Sequence, residues 1–484
     1  MKLSAEQIAA ACGAEVVARG GDGTAIRATI GSGDTGPGDL FFGLRGERVN
    51  GGEFAPAAIE AGAWGVVVDR SVTSRLFVDA TKTREVSREG GAWVFAVDDT
   101  LVALQALART WRRELGARVV GVTGSVGKTS VKDIARALLP GEVHANRENL
   151  NTEIGLPLTV LEAPEETDVL VLEMAMRGAG QIAELAAIAE PEVAVITNVG
   201  PVHVELLGSV EKIAAAKAEV LASLPPDGTA IAPVDAGELE PHLGQVPRLL
   251  RFGPDGDVFA VESEVADGIT EALVETPAGR QAFQFPFAEA HNLGNALAAI
   301  AAGVALGAPL AGMADRAANI GFSSFRGERL EMGDGIVLVN DCYNANPISM
   351  RAALSHLASL QGERRIAVLG EMAELGPDAA GYHREIGEGA RAGGVDLLIG
   401  VGEPARDYAP DELVGTPEEA AEWLAAQLEP GDTVLVKGSR SAGLEAVAET
   451  LEGLLGPPGR GAEGESISDS VRPRRAEEGP TGNG

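Results

Sequence analysis

The segment Gly121-Val122-Thr123-Gly124-Ser125-Val126-Gly127-Lys128-Thr129-Ser130 concentrates more chemistry than any other stretch of the chain. It follows the apolar run Val119-Val120-Gly121-Val122 and opens a helical stretch from about Thr129. Between a strand and a helix, the backbone N–H groups of Gly124, Ser125, Val126, Gly127, Lys128, Thr129 and Ser130 turn into one concavity, and the helix N-terminus adds positive potential. Lys128 is placed to neutralise β- and γ-phosphate oxygens, and the Thr129 hydroxyl to ligate Mg²⁺. The strict pattern asks for glycine where Val122 stands, so the loop is a variant. It predicts a nucleoside triphosphate site. Alone it does not choose among kinase, switch, motor and ligase.

Three more side chains stand where they could serve that site. Glu173 closes the next apolar strand, Val169-Leu170-Val171-Leu172, and a carboxylate there can reach the metal directly or through water. His203 follows the strand Val193-Ala194-Val195-Ile196 in Thr197-Asn198-Val199-Gly200-Pro201-Val202-His203, as a surface histidine or a functional one. Lys217 sits in the Ala-rich run Ala214-Ala215-Ala216-Lys217-Ala218. It reads as a lysine snorkelling to solvent or as one converted by CO₂ to a carbamate, an anion able to bind Mg²⁺. Spacing does not decide between the two.

Elements that can hold these groups in register follow from the rest of the chain. At roughly 150 residues per domain, 484 residues suggest about three domains. Hydrophobic residues at 45% and charged residues at 23% allow a buried core and exclude global disorder. Residues 1–117 contain a short helix from Leu3 to Cys12, strands at Trp64–Asp69 and Trp93–Val97, and a helix from Thr100 to Leu115. Residues 118–325 alternate apolar strands with helices, which predicts a parallel sheet covered on both faces. Residues 326–456 repeat the style, with strands at Ile336–Val339, Ile366–Leu369, Leu397–Ile399 and Thr433–Val436, resembling a dinucleotide-binding fold without its glycine fingerprint. Residues 457–484 are Pro, Gly, Ser and charge, and read as a disordered tail. The fold class is thus α/β in three domains.

The net charge of −32 repels phosphate backbones and anionic lipid, which argues against nucleic acid and membrane surfaces as partners. Two distant cysteines, Cys12 and Cys342, support neither a disulfide framework nor a zinc site and suit a reducing compartment. Glu6 interrupts the apolar run that a signal peptide would need. The uncharged stretch from Asn292 to Ala314 is broken by Gly307-Ala308-Pro309 and reads as two packed helices rather than a membrane span. A cytoplasmic monomer is expected.

Ordered along the chain, these segments resemble the Mur ligases, the ATP-dependent amide-forming enzymes of bacterial peptidoglycan synthesis. The carriers are Gly-Asp-Leu-Phe-Phe-Gly-Leu-Arg-Gly at 38–46, the loop at 123–129, Asn-Leu-Asn-Thr-Glu-Ile-Gly-Leu-Pro at 149–157, Glu-Met at 173–174 and Thr-Asn-Val-Gly-Pro-Val-His at 197–203. Further on come Ala-Lys-Ala-Glu at 216–219, His-Asn-Leu-Gly-Asn-Ala at 291–296, Asp-Cys-Tyr-Asn-Ala-Asn-Pro at 341–347, Leu-Gly-Glu-Met-Ala-Glu-Leu-Gly at 369–376 and Lys-Gly-Ser-Arg at 437–440. The segments at 341–347 and 370–376 are similar to those of members that add D-alanyl-D-alanine to UDP-N-acetylmuramoyl-tripeptide. Departures from the family pattern are Gly33, Asn50 and Gly52 in the first domain, and Ala175 and Pro233 in the second.

The resemblance implies roles. The first domain would bind the UDP-sugar, the second would bind ATP in a P-loop ATPase-like parallel sheet, and the Rossmann-like third would close over it near residues 322–328. Lys128 and Thr129 would hold phosphates and one Mg²⁺, with Glu173 as a metal ligand; His203 and carbamylated Lys217 would hold a second Mg²⁺. Asn292 and Asn295 would face adenine. Arg329 and Asp341 would close over the γ-phosphate and ribose, with Asn344 and Asn346 near the reacting groups. Alternatives left open are a folylpolyglutamate-synthase-like or cyanophycin-type ligase, a nucleotide-driven binding switch, and an inactive scaffold.

Overall fold

The computed structural model describes residues 1–76, 91–147, 149–202, 204–323 and 325–455. The tail expected at 457–484 lies outside them. The first sheet contains β1 (Glu15–Ala18), β2 (Arg27–Thr29), β3 (Asp39–Phe42), β4 (Gly65–Asp69) and β5 (Trp93–Val97) in the order β1-β5-β4-β3-β2, with β1 antiparallel to β5 and the other pairs parallel.

The central sheet is parallel throughout. It is built of β6 (Arg118–Thr123), β7 (Val143–Ala145), β8 (Val169–Glu173), β9 (Val193–Ile196), β10 (Thr229–Pro233) and β11 (Arg248–Phe252), ordered β11-β10-β9-β6-β8-β7. Both faces are covered, so β8 and β9 are buried at every position and read as unbroken apolar runs rather than alternating ones. From β6 the chain crosses to the edge strand β7, returns through β8 beside β6, and then fills the other side of β6 with β9. A crevice opens at the carboxyl ends of the strands where the order switches in this way. The phosphate loop, Glu173 and the segment after Ile196 all leave the sheet at that edge.

Helix Lys128–Leu138 buries Val131, Ile134, Ala135 and Leu138, one stripe at helical spacing. It packs on helix Ala290–Ala305, whose Ala298, Ala299, Ala301 and Ala302 permit a close approach. The uncharged stretch does divide in two, Ala290–Ala305 and Leu310–Ala317. Among the described residues no helix is long and apolar enough to cross a membrane.

An antiparallel sheet of β12 (Phe259–Ala266), β13 (Ile269–Thr276) and β14 (Gly279–Phe285) is inserted ahead of Ala290. The last sheet contains β15 (Glu328–Glu331), β16 (Val337–Asn340), β17 (Arg365–Leu369), β18 (Leu397–Val401), β19 (Glu412–Val414) and β20 (Thr433–Lys437) in the order β15-β16-β20-β17-β18-β19, with only β15 antiparallel. The α/β class expected from the sequence is the one the chain adopts. The first and central sheets share one continuous apolar core, from Ile8, Phe95 and Leu104 to Leu156, Leu172 and Ile196. The last sheet has two cores of its own, one on each face.

Candidate active site

The phosphate loop is locked by its own neighbours. Gly124 has φ +150°, and a Cβ there would lie 1.9 Å from Thr197 Oγ1. Gly127 has φ +80°, and a Cβ would lie 2.5 Å from Asn295 Oδ1. Only glycine suits either position. Ser125 N–H and Val126 N–H donate to Asn198 Oδ1 at 3.1 and 2.9 Å, and Ser125 Oγ bonds the backbone of Gly200. Helix Lys128–Leu138 starts at Gly127 with no side-chain cap, so its first-turn amides are free to bind an anion. Lys128 folds back, donating to Gly124 O at 2.8 Å and Ser125 O at 3.3 Å. Burial lowers its pKa; Glu173 opposes that and the charge of Arg326 adds to it.

Glu173 is 2% exposed at the end of β8. Thr129 Oγ1 donates to its Oε2 at 2.8 Å and Asn151 Nδ2 to its Oε1 at 2.8 Å. A hydroxyl and a carboxylate meeting beside phosphate-binding amides form the hard oxygen set that Mg²⁺ takes together with phosphate and water. On the other flank, Asn295 Nδ2 donates to Asn292 Oδ1 at 3.1 Å, and Asn292 Nδ2 to Glu289 Oε2 at 3.3 Å.

These groups line one side of a cavity of about 1510 Å³. The opposite wall comes from the carboxyl ends of β16, β17 and β20 and from helix Pro347–Ser359. Lys437, 2% exposed, donates to Asp341 Oδ2 at 2.6 Å and to Asn344 O at 3.0 Å. Asn346 caps helix Pro347–Ser359 through Ile348 N–H and Ser349 N–H. Arg326 lies over the Tyr343 ring, 4.2 Å from its centroid. His356 Nε2 stands 3.6 Å from Glu289 Oε1 across the two walls; burial lowers its pKa, and Glu289 and Asp341 oppose the shift. Two parallel sheets thus present their carboxyl ends to one space.

Models of three protein families match the chain: "Mur ligase family, catalytic domain" at residues 27–112, "Mur ligase middle domain" at 122–303, and "Mur ligase, glutamate ligase domain" at 326–440. A Synechocystis protein named UDP-N-acetylmuramoyl-tripeptide–D-alanyl-D-alanine ligase is 38% identical over 430 residues, covering 86% of this chain and 89% of its own. A Bacillus subtilis protein of the same name is 36% identical over 425 residues, covering 85% and 90%. The chain belongs to the Mur ligase family. Its fold matches the crystal structure of MurF from Acinetobacter baumannii with TM-score 0.83 at 27% identity, over 93% of this chain and 99% of that one. It also matches MurF ligase from Thermotoga maritima in complex with ADP, TM-score 0.78 at 30% identity, over 89% and 98%.

In this Mur ligase the structure brings Lys128, Thr129, Glu173, Asn292, Asn295, Asp341, Asn344 and Asn346 to the cavity wall, with Ser125, Val126, Gly127 and Ser130. His203 lies outside the described residues. Lys217 is 2% exposed in helix Val210–Ala218 and is not among the residues lining the cavity. Burial drives its pKa well below that of an ordinary lysine, and the charge of Lys128 pushes the same way. Arg329 does not line the cavity; its side chain is 55% exposed on β15, 3.6 Å from Glu331. The arginine in the wall is Arg326, three residues earlier. In Phe325-Arg326-Gly327-Glu328-Arg329 the residue types cannot choose between them. The structure can, because Arg326 borders the cavity while Arg329 turns its side chain to solvent. Lys437 carried the motif at 437–440 without a role. His356 and Glu374 also line the wall; no local pattern marked His356, while Glu374 lay in the segment at 369–376 without a role.

Proposed function

We propose that this Mur ligase joins D-alanyl-D-alanine to UDP-N-acetylmuramoyl-tripeptide at the expense of ATP, through an acyl phosphate. The observation that carries this reading is the pairing of an uncapped phosphate loop with a second parallel sheet across one cavity, in a chain 34–38% identical to ligases of that name. A carboxylate does not condense with an amine at neutral pH, because hydroxide is a poor leaving group. Attack of the tripeptide carboxylate on the γ-phosphorus of ATP releases ADP and leaves phosphate as the leaving group. The amine then attacks the acyl carbon and phosphate departs.

The first step brings two anions together. In our reading Lys128 and the amides at the start of helix Lys128–Leu138 hold the phosphate oxygens, and Arg326 takes the γ-phosphate role that sequence reasoning gave to Arg329. Thr129 and Glu173 would hold one Mg²⁺, which supplies neutralising charge at the β- and γ-oxygens. A second would be held by His203 and a carbamylated Lys217. The depressed pKa of Lys217 supports the modification, since only an unprotonated amine adds to CO₂. Asn292 and Asn295 fit the base side of the nucleotide, being bonded to each other beside Gly127.

We assign residues 1–117 to the UDP-sugar, 118–325 to the nucleotide and 326–456 to closure and the incoming dipeptide. An acyl phosphate hydrolyses in water, so a third domain closing over it is chemically apt. We take the enzyme to work as a cytoplasmic monomer. The test is mass spectrometry of the product from ATP, UDP-N-acetylmuramoyl-tripeptide and D-Ala-D-Ala. A muramoyl pentapeptide formed with one ADP and one phosphate is expected; consumption of ATP without it would overturn the reading.

A further inference from the structure

Two carboxylates from the last sheet's side line the cavity, Asp341 and Glu374. Glu374 lies on the segment 370–376 that follows β17, and its φ is +62°, a left-handed conformation that residues with a Cβ rarely take. The surroundings impose it. Tyr408 donates its hydroxyl to Gly370 O at 2.9 Å. Met372 N–H donates to His383 Nε2 at 3.0 Å, and His383 Nδ1 is turned to Ala379 O at 2.7 Å. Ala373 N–H donates to Ser439 Oγ at 2.9 Å, and Ser439 N–H returns to Glu371 O at 2.8 Å. Beyond it Gly376 packs on Glu205 of the central domain, where a Cβ would come within 3.4 Å of the Glu205 Cα. The segment is thus pinned on both sides of Glu374, at the seam where the third domain meets the chain leaving β9.

Such a clamp fixes the backbone that carries a cavity-lining carboxylate. The second half of the proposed reaction needs one. An α-amino group has a pKa near 8, so at neutral pH the dipeptide arrives largely as an ammonium with no lone pair. We propose that Glu374 binds this ammonium and accepts its proton, an inference that rests on the ligase reading above. The carboxylate takes one proton from nitrogen; the lone pair so released forms the C–N bond; the acyl carbon–oxygen bond breaks with its electrons going to phosphate. The second nitrogen proton leaves with phosphate as HPO₄²⁻, so amide, protonated Glu374 and hydrogen phosphate balance ammonium, carboxylate and acyl phosphate.

The test compares Glu374→Gln with the parent enzyme using two acceptors, D-Ala-D-Ala and hydroxylamine, whose nitrogen is already unprotonated at neutral pH. Both assays contain ATP and UDP-N-acetylmuramoyl-tripeptide. Pentapeptide formation by the variant should fall by about 10²–10⁴-fold. Hydroxamate formation should stay within about threefold of the parent, and it certifies that the variant is folded and makes the acyl phosphate. Equal loss with both acceptors would overturn the proposal by placing Glu374 in phosphoryl transfer or in the fold. Retention with both would overturn it too. A parent enzyme that yields neither product would instead remove the ligase reading, and the proposal with it.

Discussion

Lys217 is a case where burial sets chemistry through protonation. An ordinary lysine is cationic at neutral pH and inert toward CO₂; burial and the charge of Lys128 both push Lys217 toward the neutral, reactive amine. Lys217→Ala is expected to lose nearly all turnover, and short carboxylic acids such as acetate should restore part of it by standing in for the carbamate. An alanine variant with parental turnover would refute that role. The same shift has a stability sign. The folded pKa lies below the unfolded value of 10.5, so between the two the unfolded chain binds the extra proton and stability rises with pH. Lys217→Met should therefore be the more stable protein in CO₂-free buffer at pH 7, and its margin should narrow by up to about 1.4 kcal/mol per pH unit toward pH 10. Urea unfolding at pH 7, 8 and 9 measures it, and a margin that widens would reverse the assignment.

At the scale of elements, turns hold the phosphate loop and the segment after β17 in place. Gly124→Ala places a methyl on Thr197 Oγ1 in a backbone region that alanine avoids. The expected cost is about 1–3 kcal/mol, with loss of nucleotide binding by calorimetry; an alanine variant with unchanged ATP affinity would show the loop to be adaptable. His383 pins the segment after β17 from helix Ala379–Ala392. His383→Phe should raise the KM for D-Ala-D-Ala far more than that for ATP, and His383→Gln, which keeps an acceptor for Met372 N–H, should recover much of the difference. Equal shifts in both KM values would reduce His383 to a general packing role.

These two cases also mark what could be read in advance. Loop 121–130, Glu173 and the strands of the parallel sheets were legible because a strand buried on both faces is an apolar run and its end is a fixed address. The β12–β14 sheet was not, since β12 is exposed over most of its length and carries Glu262 and Glu264 where an apolar face would be sought. Arg326 and His356 were missed, and Glu374 was left in its motif without a role, because they reach the cavity from another domain, and chain order says nothing about which loop faces which.

At the scale of the molecule, the distribution of cores says which part can move. The first and central sheets share a core, so separating them would expose Phe95, Leu104, Leu156 and their neighbours to water. The last sheet keeps its cores to itself. Motion of the residues beyond the linker at 322–328 against everything before it therefore costs the least apolar exposure. The near end of that linker is tied to the nucleotide machinery, because Ser323 N–H and Oγ both donate to Asp133 Oδ2, at 2.9 and 2.8 Å, on the very helix that opens at Lys128. Past the anchor, Phe325 and Gly327 are left-handed, φ +62° and +71°, the type of position that absorbs a change of direction. Asp133 is itself paired with buried Lys132 at 3.0 Å, so replacing it would strand a charge; Ser323→Ala removes a single bond and is the cleaner probe. Losing that bond is worth about 1 kcal/mol, or about fivefold in an equilibrium or a rate. The variant should keep the parent's ATP affinity within about twofold and lose about fivefold in turnover. Small-angle scattering should show the parent contracting on addition of an ATP analogue with both substrates, and Ser323→Ala contracting less. A parent profile that does not change with ligands would mean the two sheets already face each other at the working distance, and the anchor would then be a strut and not a hinge post.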